Sequence, residues 1–261
     1  MTRWITLKRL VILLLLAWAG LAAAAPASRL DRIVERGELV LGTSGNMPPM
    51  TMTGKDGRLG GFDIDMARLM ASMLDVRLQV RKLPFGELLE ALRRGEVDVV
   101  ISNMTITPKR NLQVAFVGPY LESGKCILTR SQALAKAEGQ DINVPETRIA
   151  VMAGSTSERF ARILLPRATL VLVEDPLVGV EKVKRGEAGG LLTDYPVCSY
   201  LLEANPDAGF QSVSSLLTYE PIGIALPRGD VQYINWTRNF LDRLRGTGIL
   251  DELKQRWFKA K

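Results

Sequence analysis

Apolar positions along the chain fall into short blocks, separated by Gly, Pro and charged turns. Leu39-Val40-Leu41-Gly42-Thr43, Val76 to Leu83 and Val97-Asp98-Val99-Val100-Ile101 are near-continuous runs of the kind that form strands in a covered sheet. Between them, Ile64, Ala67, Met70 and Leu74 recur at helical spacing behind Asp63, which the pattern places at a helix N-cap. Leu30 to Arg36 reads as a short helix closed by Gly37, and Phe85 to Arg94 as a helix closed by Gly95. Thr51-Met52-Thr53 and Leu59-Gly60-Gly61-Phe62 flank a hairpin-type turn, Gly54-Lys55-Asp56-Gly57.

A second series repeats the plan. Strand Arg148 to Met152, helix Glu158 to Leu165, strand Thr169 to Val173, helix Leu177 to Lys184 and strand Gly190 to Thr193 lead to Asp194. Strand Pro221 to Leu226 and helices Val231 to Arg245 and Leu250 to Phe258 complete the pattern. The alternation implies parallel strands covered by helices. Arg93-Arg94-Gly95-Glu96 before the first buried strand is echoed by Lys184-Arg185-Gly186-Glu187 in the second series. Two α/β lobes of similar design follow.

The N-terminus differs. Arg3, Lys8 and Arg9 precede an uncharged run from Leu10 to Ala19, which exits through Gly20 and an Ala-rich segment to Pro26. A positive start, a short apolar core and a small-residue exit make a secretory signal peptide, 1–24, removed on export by a cut after Ala24 or Ala27, with an uncleaved membrane anchor as the other reading. Its loss takes three of the 34 basic residues and none of the 28 acidic ones, so the net charge falls from +6 to +3. The remaining charges are interspersed, with no stripe for nucleic acid.

The 261 residues include no His and two Cys. That composition excludes His-based nucleophilic triads, His-ligated zinc and a Cys-rich metal site, and implies no cofactor. Export permits a disulfide. Cys126 sits in the apolar run Lys125-Cys126-Ile127-Leu128 and Cys198 follows Asp194-Tyr195-Pro196-Val197. A bridge and two separately buried thiols both satisfy that pattern.

In open α/β sheets ligands bind beyond the carboxyl ends of strands. Three such loops are polar in a complementary way. The first holds Ser102, Asn103, Thr105 and Arg110, where Arg110 offers a guanidinium fork matched to a carboxylate and Thr105 a hydroxyl donor, although a solvated surface Arg fits the segment equally. Gly154-Ser155-Thr156-Ser157 opens a helix, where free N–H groups attract anions, although such residues also serve as plain caps. Asp194 offers a carboxylate for an ammonium group, or a cap. An anion clamp and a cation clamp together suit a zwitterion, an α-amino acid enclosed between two lobes.

Gly61-Phe62-Asp63-Ile64-Asp65-Met66 resembles the signature of family 3 extracytoplasmic solute-binding proteins, the periplasmic amino-acid receptors of ABC importers. Leu39 to Thr43, Gly95 to Val99, Ser102 to Arg110, Phe116 to Tyr120, Ala153 to Ser157, Gly223 to Ala225 and the ending from Gly246 to Phe258 extend the likeness in family order. The resemblance implies a type II periplasmic-binding-protein fold, with two α/β lobes joined by two crossing strands near Pro119-Tyr120-Leu121 and Tyr219-Glu220-Pro221. Lobe 1 would comprise 28–119 and 221–261, and lobe 2 would comprise 120–220. It implies a monomer that closes over its ligand and delivers it to an inner-membrane ABC permease. It also implies that Arg110 holds the ligand carboxylate, helped by Thr105, Ser155 and Thr156. Asp194 would hold the ammonium, helped by Ser102 and Asn103.

Many relatives carry an acid where this chain has Ser44, and aromatics where it has Met47 and Met50. The side-chain pocket then reads as uncharged and lined by thioethers from Met47, Met50 and Met104, or those residues pack in a lobe core. On that reading Lys and Arg are disfavoured ligands. The resemblance also takes in periplasmic cyclohexadienyl dehydratases, which need a buried general acid, and ligand sensors. Beyond Asp194 the cleft loops show no additional acid, so a binding protein without catalysis is expected.

Overall fold

The computed structural model describes residues 28–54, 56–136, 139–213 and 218–258. The signal segment and Lys55 of the hairpin turn lie outside them. The chain forms two α/β lobes, each around a five-stranded mixed sheet.

The first sheet runs in the order Arg77–Lys82, Glu38–Thr43, Val99–Val100, Glu220–Leu226 and Ala115–Ser123. The first three strands are parallel, and Glu220–Leu226 pairs antiparallel with both of its neighbours. The second sheet runs Gln211–Val213, Lys125–Thr129, Gly190–Asp194, Arg148–Met152 and Thr169–Val173. There the parallel part is Gly190–Asp194 with Arg148–Met152 and Thr169–Val173, while the other two pairings are antiparallel. Both sheets are therefore mixed, where the sequence rhythm suggested parallel ones.

The lobes meet through Ala115–Ser123 and Glu220–Leu226, a long antiparallel pair whose register slips between Ile222 and Ile224. The first of these strands is absent from the periodicity reading because Gly118-Pro119 interrupts its apolar run. Elsewhere the run Val97 to Ile101 yields a ladder only at Val99–Val100. The cause is Asp98. Its carboxylate takes the Val40 N–H at 2.8 Å, so the side chain replaces a ladder partner at that point.

Leu39, Leu41, Phe62, Met66, Ile224 and Tyr233 share one core. Ile149, Val151, Ala161 and Leu192 share another, in the second lobe. A third cluster joins residues of both lobes, among them Phe85, Met104, Met152 and Cys198. Cys126 and Cys198 form a disulfide with a Cα–Cα separation of 6.5 Å, which ties strand Lys125–Thr129 to helix Tyr195–Glu203. No helix among the described residues is long and apolar enough to cross a membrane.

Candidate functional site

A cleft of about 600 Å³ opens between the lobes, lined by Phe85, Met104, Arg110, Gly154, Thr156 and Arg159 among others. Thr107 caps the short helix Pro108–Asn111 by accepting the Arg110 N–H at 3.2 Å, which sets the direction of the Arg110 side chain. The guanidinium donates to the Thr105 carbonyl at 2.9 Å and, across the cleft, to the Gly154 carbonyl at 3.3 Å. It also lies over the Phe85 ring, 5.5 Å from the centroid, a cation–π arrangement. Burial pulls its pKa down to about 10, opposed by the nearby Asp194 and Glu220 charges, so it stays cationic at neutral pH. No carboxylate of the described residues forms an ion pair with it.

The other half of the site is a buried polar chain. Asp194 heads the helix Tyr195–Glu203, yet its side chain caps nothing. One oxygen accepts Asn103 Nδ2 at 2.6 Å across the lobes, and the other pairs with Lys125 Nζ at 2.5 Å. Lys125 Nζ also donates to Thr156 Oγ1 at 2.6 Å and lies 3.4 Å from Glu220. Thr156 Oγ1 donates to Glu220 at 3.0 Å and lies 3.3 Å from Thr105 Oγ1, a second contact between the lobes. The Lys125 side chain is 0% exposed. Burying a charge that deeply is costly unless it is paired, and here two carboxylates and a hydroxyl surround it.

Asp63 anchors the Asn103 end. The helix begins at Phe62, with Gly61 at its N-cap and no side-chain cap bond, so Asp63 is not the cap that the periodicity suggested. Gly61 is required there. Its φ is +121°, and a Cβ would come within 2.3 Å of the Met50 carbonyl oxygen. Asp63 instead turns inward, accepting the Asn103 N–H at 2.6 Å and the Tyr120 hydroxyl at 2.8 Å. Burial pushes its pKa up to about 7, against the two hydrogen bonds that favour the charged form. The Asn103 backbone sits at φ +48°, a conformation that Asn tolerates better than most residues.

The remaining sequence-derived positions are dispersed. Ser102 is buried behind the cleft, its hydroxyl accepting the Ser44 N–H at 3.0 Å. Ser155 is a cap, accepting the Glu158 N–H at 3.1 Å. The Gly154 N–H is taken by the Glu158 carboxylate at 2.8 Å, so part of that helix start is already occupied by an internal anion. Met50 lies in the first lobe's core and Met47 in the cluster shared by the lobes, while Met104 lines the cleft. Lys125, Glu220 and Phe85 did not emerge from the sequence as site residues. The one available signal was a lysine opening an otherwise apolar strand, Lys125-Cys126-Ile127-Leu128.

A family model for bacterial extracellular solute-binding proteins, family 3, matches residues 39–260. The chain belongs to this family. Among its relatives is the cyclohexadienyl dehydratase of Pseudomonas aeruginosa, 28% identical over 97% of this chain and 94% of that protein. A solved ancestral amino acid-binding protein, a precursor of cyclohexadienyl dehydratase, is 35% identical with a TM-score of 0.83, covering 89% of this chain and 100% of that one. A binding component of an ABC transporter from Wolinella succinogenes, complexed with lysine, is 33% identical with a TM-score of 0.81, covering 87% of this chain and 97% of that one.

These relatives correct one expectation. Lys and Arg were disfavoured as ligands because Ser44 replaces an acid and methionines replace aromatics. The Wolinella succinogenes binding component, of the same fold, is complexed with lysine, and the ancestral protein is also a cationic amino acid solute-binding protein. Met47 and Met50, on which that expectation leaned, are 2% and 0% exposed.

Proposed function

We propose that this family 3 protein is the extracytoplasmic receptor of an ABC importer and captures an amino acid by its carboxylate, with Arg110 as the principal contact. The observation that carries the reading is the Arg110 guanidinium itself. It stands in the cleft between the lobes, bonded to one carbonyl from each side, and has no carboxylate partner among the described residues. An incoming carboxylate supplies that partner, with Thr105 and Thr156 on its flank. We assign the ligand's α-ammonium group to Asp194 and Asn103, a buried pair joined across the lobes and linked to Thr156 through Lys125. The segment 1–24 exports the chain and is then removed. The lobes, 28–119 with 221–261 and 120–220, turn about the two crossing strands, and ligand contact with both sides favours the closed arrangement.

Binding rather than turnover is supported by the state of the cleft acids. Asp194 and Glu220 are both paired with Lys125, and Glu158 is paired with Arg162. Isothermal titration of the refolded, ligand-stripped protein against the standard amino acids tests the reading. Micromolar or tighter binding that falls at least a hundredfold in Arg110→Ala supports it. Equal affinity in that variant removes the carboxylate assignment, and release of an aromatic product from prephenate or arogenate would make the protein an enzyme.

A further inference from the structure

The Asp194 carboxylate, the seat assigned to a ligand's ammonium, already holds an ammonium from the chain itself. Lys125 Nζ reaches it at 2.5 Å from a side chain with no solvent exposure, and Asn103 takes the other oxygen at 2.6 Å. Glu220 and Thr156 complete the cradle around Nζ. Beside this pair the Asn103 amide oxygen, in a residue 2% exposed, has no hydrogen-bond partner. On the carboxylate-clamp reading this oxygen lies beside the ligand's α-carbon, where a hydrogen-bond donor is then missing and a positive charge is not. A buried acceptor left unpaired is costly, and a hydroxyl satisfies it as an ammonium does.

We propose that Lys125 is a specificity-determining residue whose tethered ammonium stands in for the ligand's own, so that the cleft accepts α-hydroxy carboxylates alongside α-amino acids. This rests on the carboxylate-clamp reading and refines its ligand class. Arg110 holds the carboxylate in either case. The α-substituent donates to the Asn103 amide oxygen, and a hydroxyl or an ammonium serves. A 2-oxo acid has no donor at that atom and binds more weakly than its hydroxy counterpart. Replacing Lys125 leaves Asp194 and Glu220 facing each other without a cation. The ligand's ammonium then becomes the counter-ion, and discrimination for amino acids rises.

The test uses the full mature chain and the amino acid that binds best in the titration panel, together with its α-hydroxy and 2-oxo analogues (for phenylalanine, phenyllactate and phenylpyruvate). The expected result in the parent protein is an amino-acid to hydroxy-acid affinity ratio within tenfold, with the oxo acid weaker than the hydroxy acid. Lys125→Gln, which keeps a neutral donor in the cradle, should raise the ratio to a hundredfold or more. A parent ratio above a hundred overturns the proposal without reference to any variant. An unchanged ratio in a folded Lys125→Gln protein also overturns it and makes Lys125 purely structural. In both cases Arg110-dependent amino-acid binding would persist. If Arg110→Ala binds as tightly as the parent, the clamp reading fails and this inference falls with it.

Discussion

Asn103 and Asp194, 91 residues apart and on opposite lobes, are joined by a 2.6 Å hydrogen bond from the Asn103 amide to a carboxylate oxygen. The contact is direct and buried on both sides, with relative exposures of 2% and 8%. It links two chains of polar contacts. One runs back through the Asn103 N–H to Asp63 and Tyr120, and the other runs forward to Lys125, Thr156 and Glu220. The position of either lobe is thus conveyed to the other through a small set of atoms.

Asn103→Gly should isolate that bond. Glycine keeps the φ of +48° without strain and removes only the side chain. A hydrogen bond to a charged group contributes about 1.5–3 kcal/mol. The bond is internal to the folded chain, so its loss should lower the melting temperature by several degrees and, because it joins the lobes, should weaken ligand binding as well. Asn103→Asp should do more damage, because it sets a second carboxylate against Asp194 across the cleft. Titration calorimetry and thermal unfolding of the two variants check both statements. Stronger ligand binding by Asn103→Asp than by Asn103→Gly would contradict them.

Gly154 packs backbone to backbone against Gly86 of the other lobe. Its φ is +74°, and a Cβ there would lie 2.8 Å from the Gly86 Cα. Gly154→Ala must strain its own backbone and push the lobes apart, since the obstacle is main chain and cannot rotate away. The local strain costs about 1–2 kcal/mol. The separation of the lobes also withdraws the Gly154 carbonyl from Arg110 and lengthens the span between Thr105 and Thr156. Affinity should drop by more than tenfold. Small-angle scattering with ligand present should show a larger radius of gyration than the parent's, and an unchanged radius with unchanged affinity would count against this account.

The fold was largely legible in the residues, and the site only in part. A covered strand such as Arg148–Met152 announces itself because Ile149 to Met152 are buried on both faces and form an unbroken apolar run. Arg110, Thr105 and Asp194 could be singled out as candidates because each lies at or beyond the carboxyl end of a strand. Lys125 and Glu220 could not, since their pairing joins positions 95 apart through a register that local pattern does not encode. The two readings of Cys126 and Cys198 likewise differed only in a distance. Asp63 was misplaced for an instructive reason. A short acid before a helical run is the usual cap, but here a tight turn at Gly61 starts the helix earlier and frees the carboxylate for the Asn103 loop.

Asp63 should make stability depend on pH in an unusual direction. Burial raises its pKa from 3.8 to about 7 in the folded chain. Between those values the folded state binds a proton that the unfolded state has lost. Its contribution is therefore most favourable at low pH and is lost as pH rises toward 7. A shift of that size corresponds to at most about 4 kcal/mol. Other acids follow the opposite trend, so the measurement is a difference between parent and Asp63→Asn, by urea unfolding from pH 4.5 to 7.5. The parent should lose stability relative to the variant across that range. A flat difference would place the Asp63 pKa near the ordinary carboxylate value.

The disulfide should matter for binding as well as for stability. Cys126 adjoins Lys125, and Cys198 lies one helical turn beyond Asp194, so the bond clamps together the two elements that carry the buried ion pair. Closing a loop with a sequence separation of 72 restricts the unfolded chain by about 4 kcal/mol in the loop-entropy account. A double Cys126→Ala, Cys198→Ala variant should therefore unfold at lower denaturant, by up to that amount. If the clamp acts only on the unfolded chain, ligand affinity measured far below the unfolding midpoint will match the parent's. If it also holds Lys125 against Asp194, affinity for the amino acid and for its α-hydroxy analogue will change unequally, because the tethered cation will compete less well for its seat. The geometry favours the second outcome. Both cysteines are fully buried and packed in the same apolar cluster as Met104 and Phe85, which line the cleft.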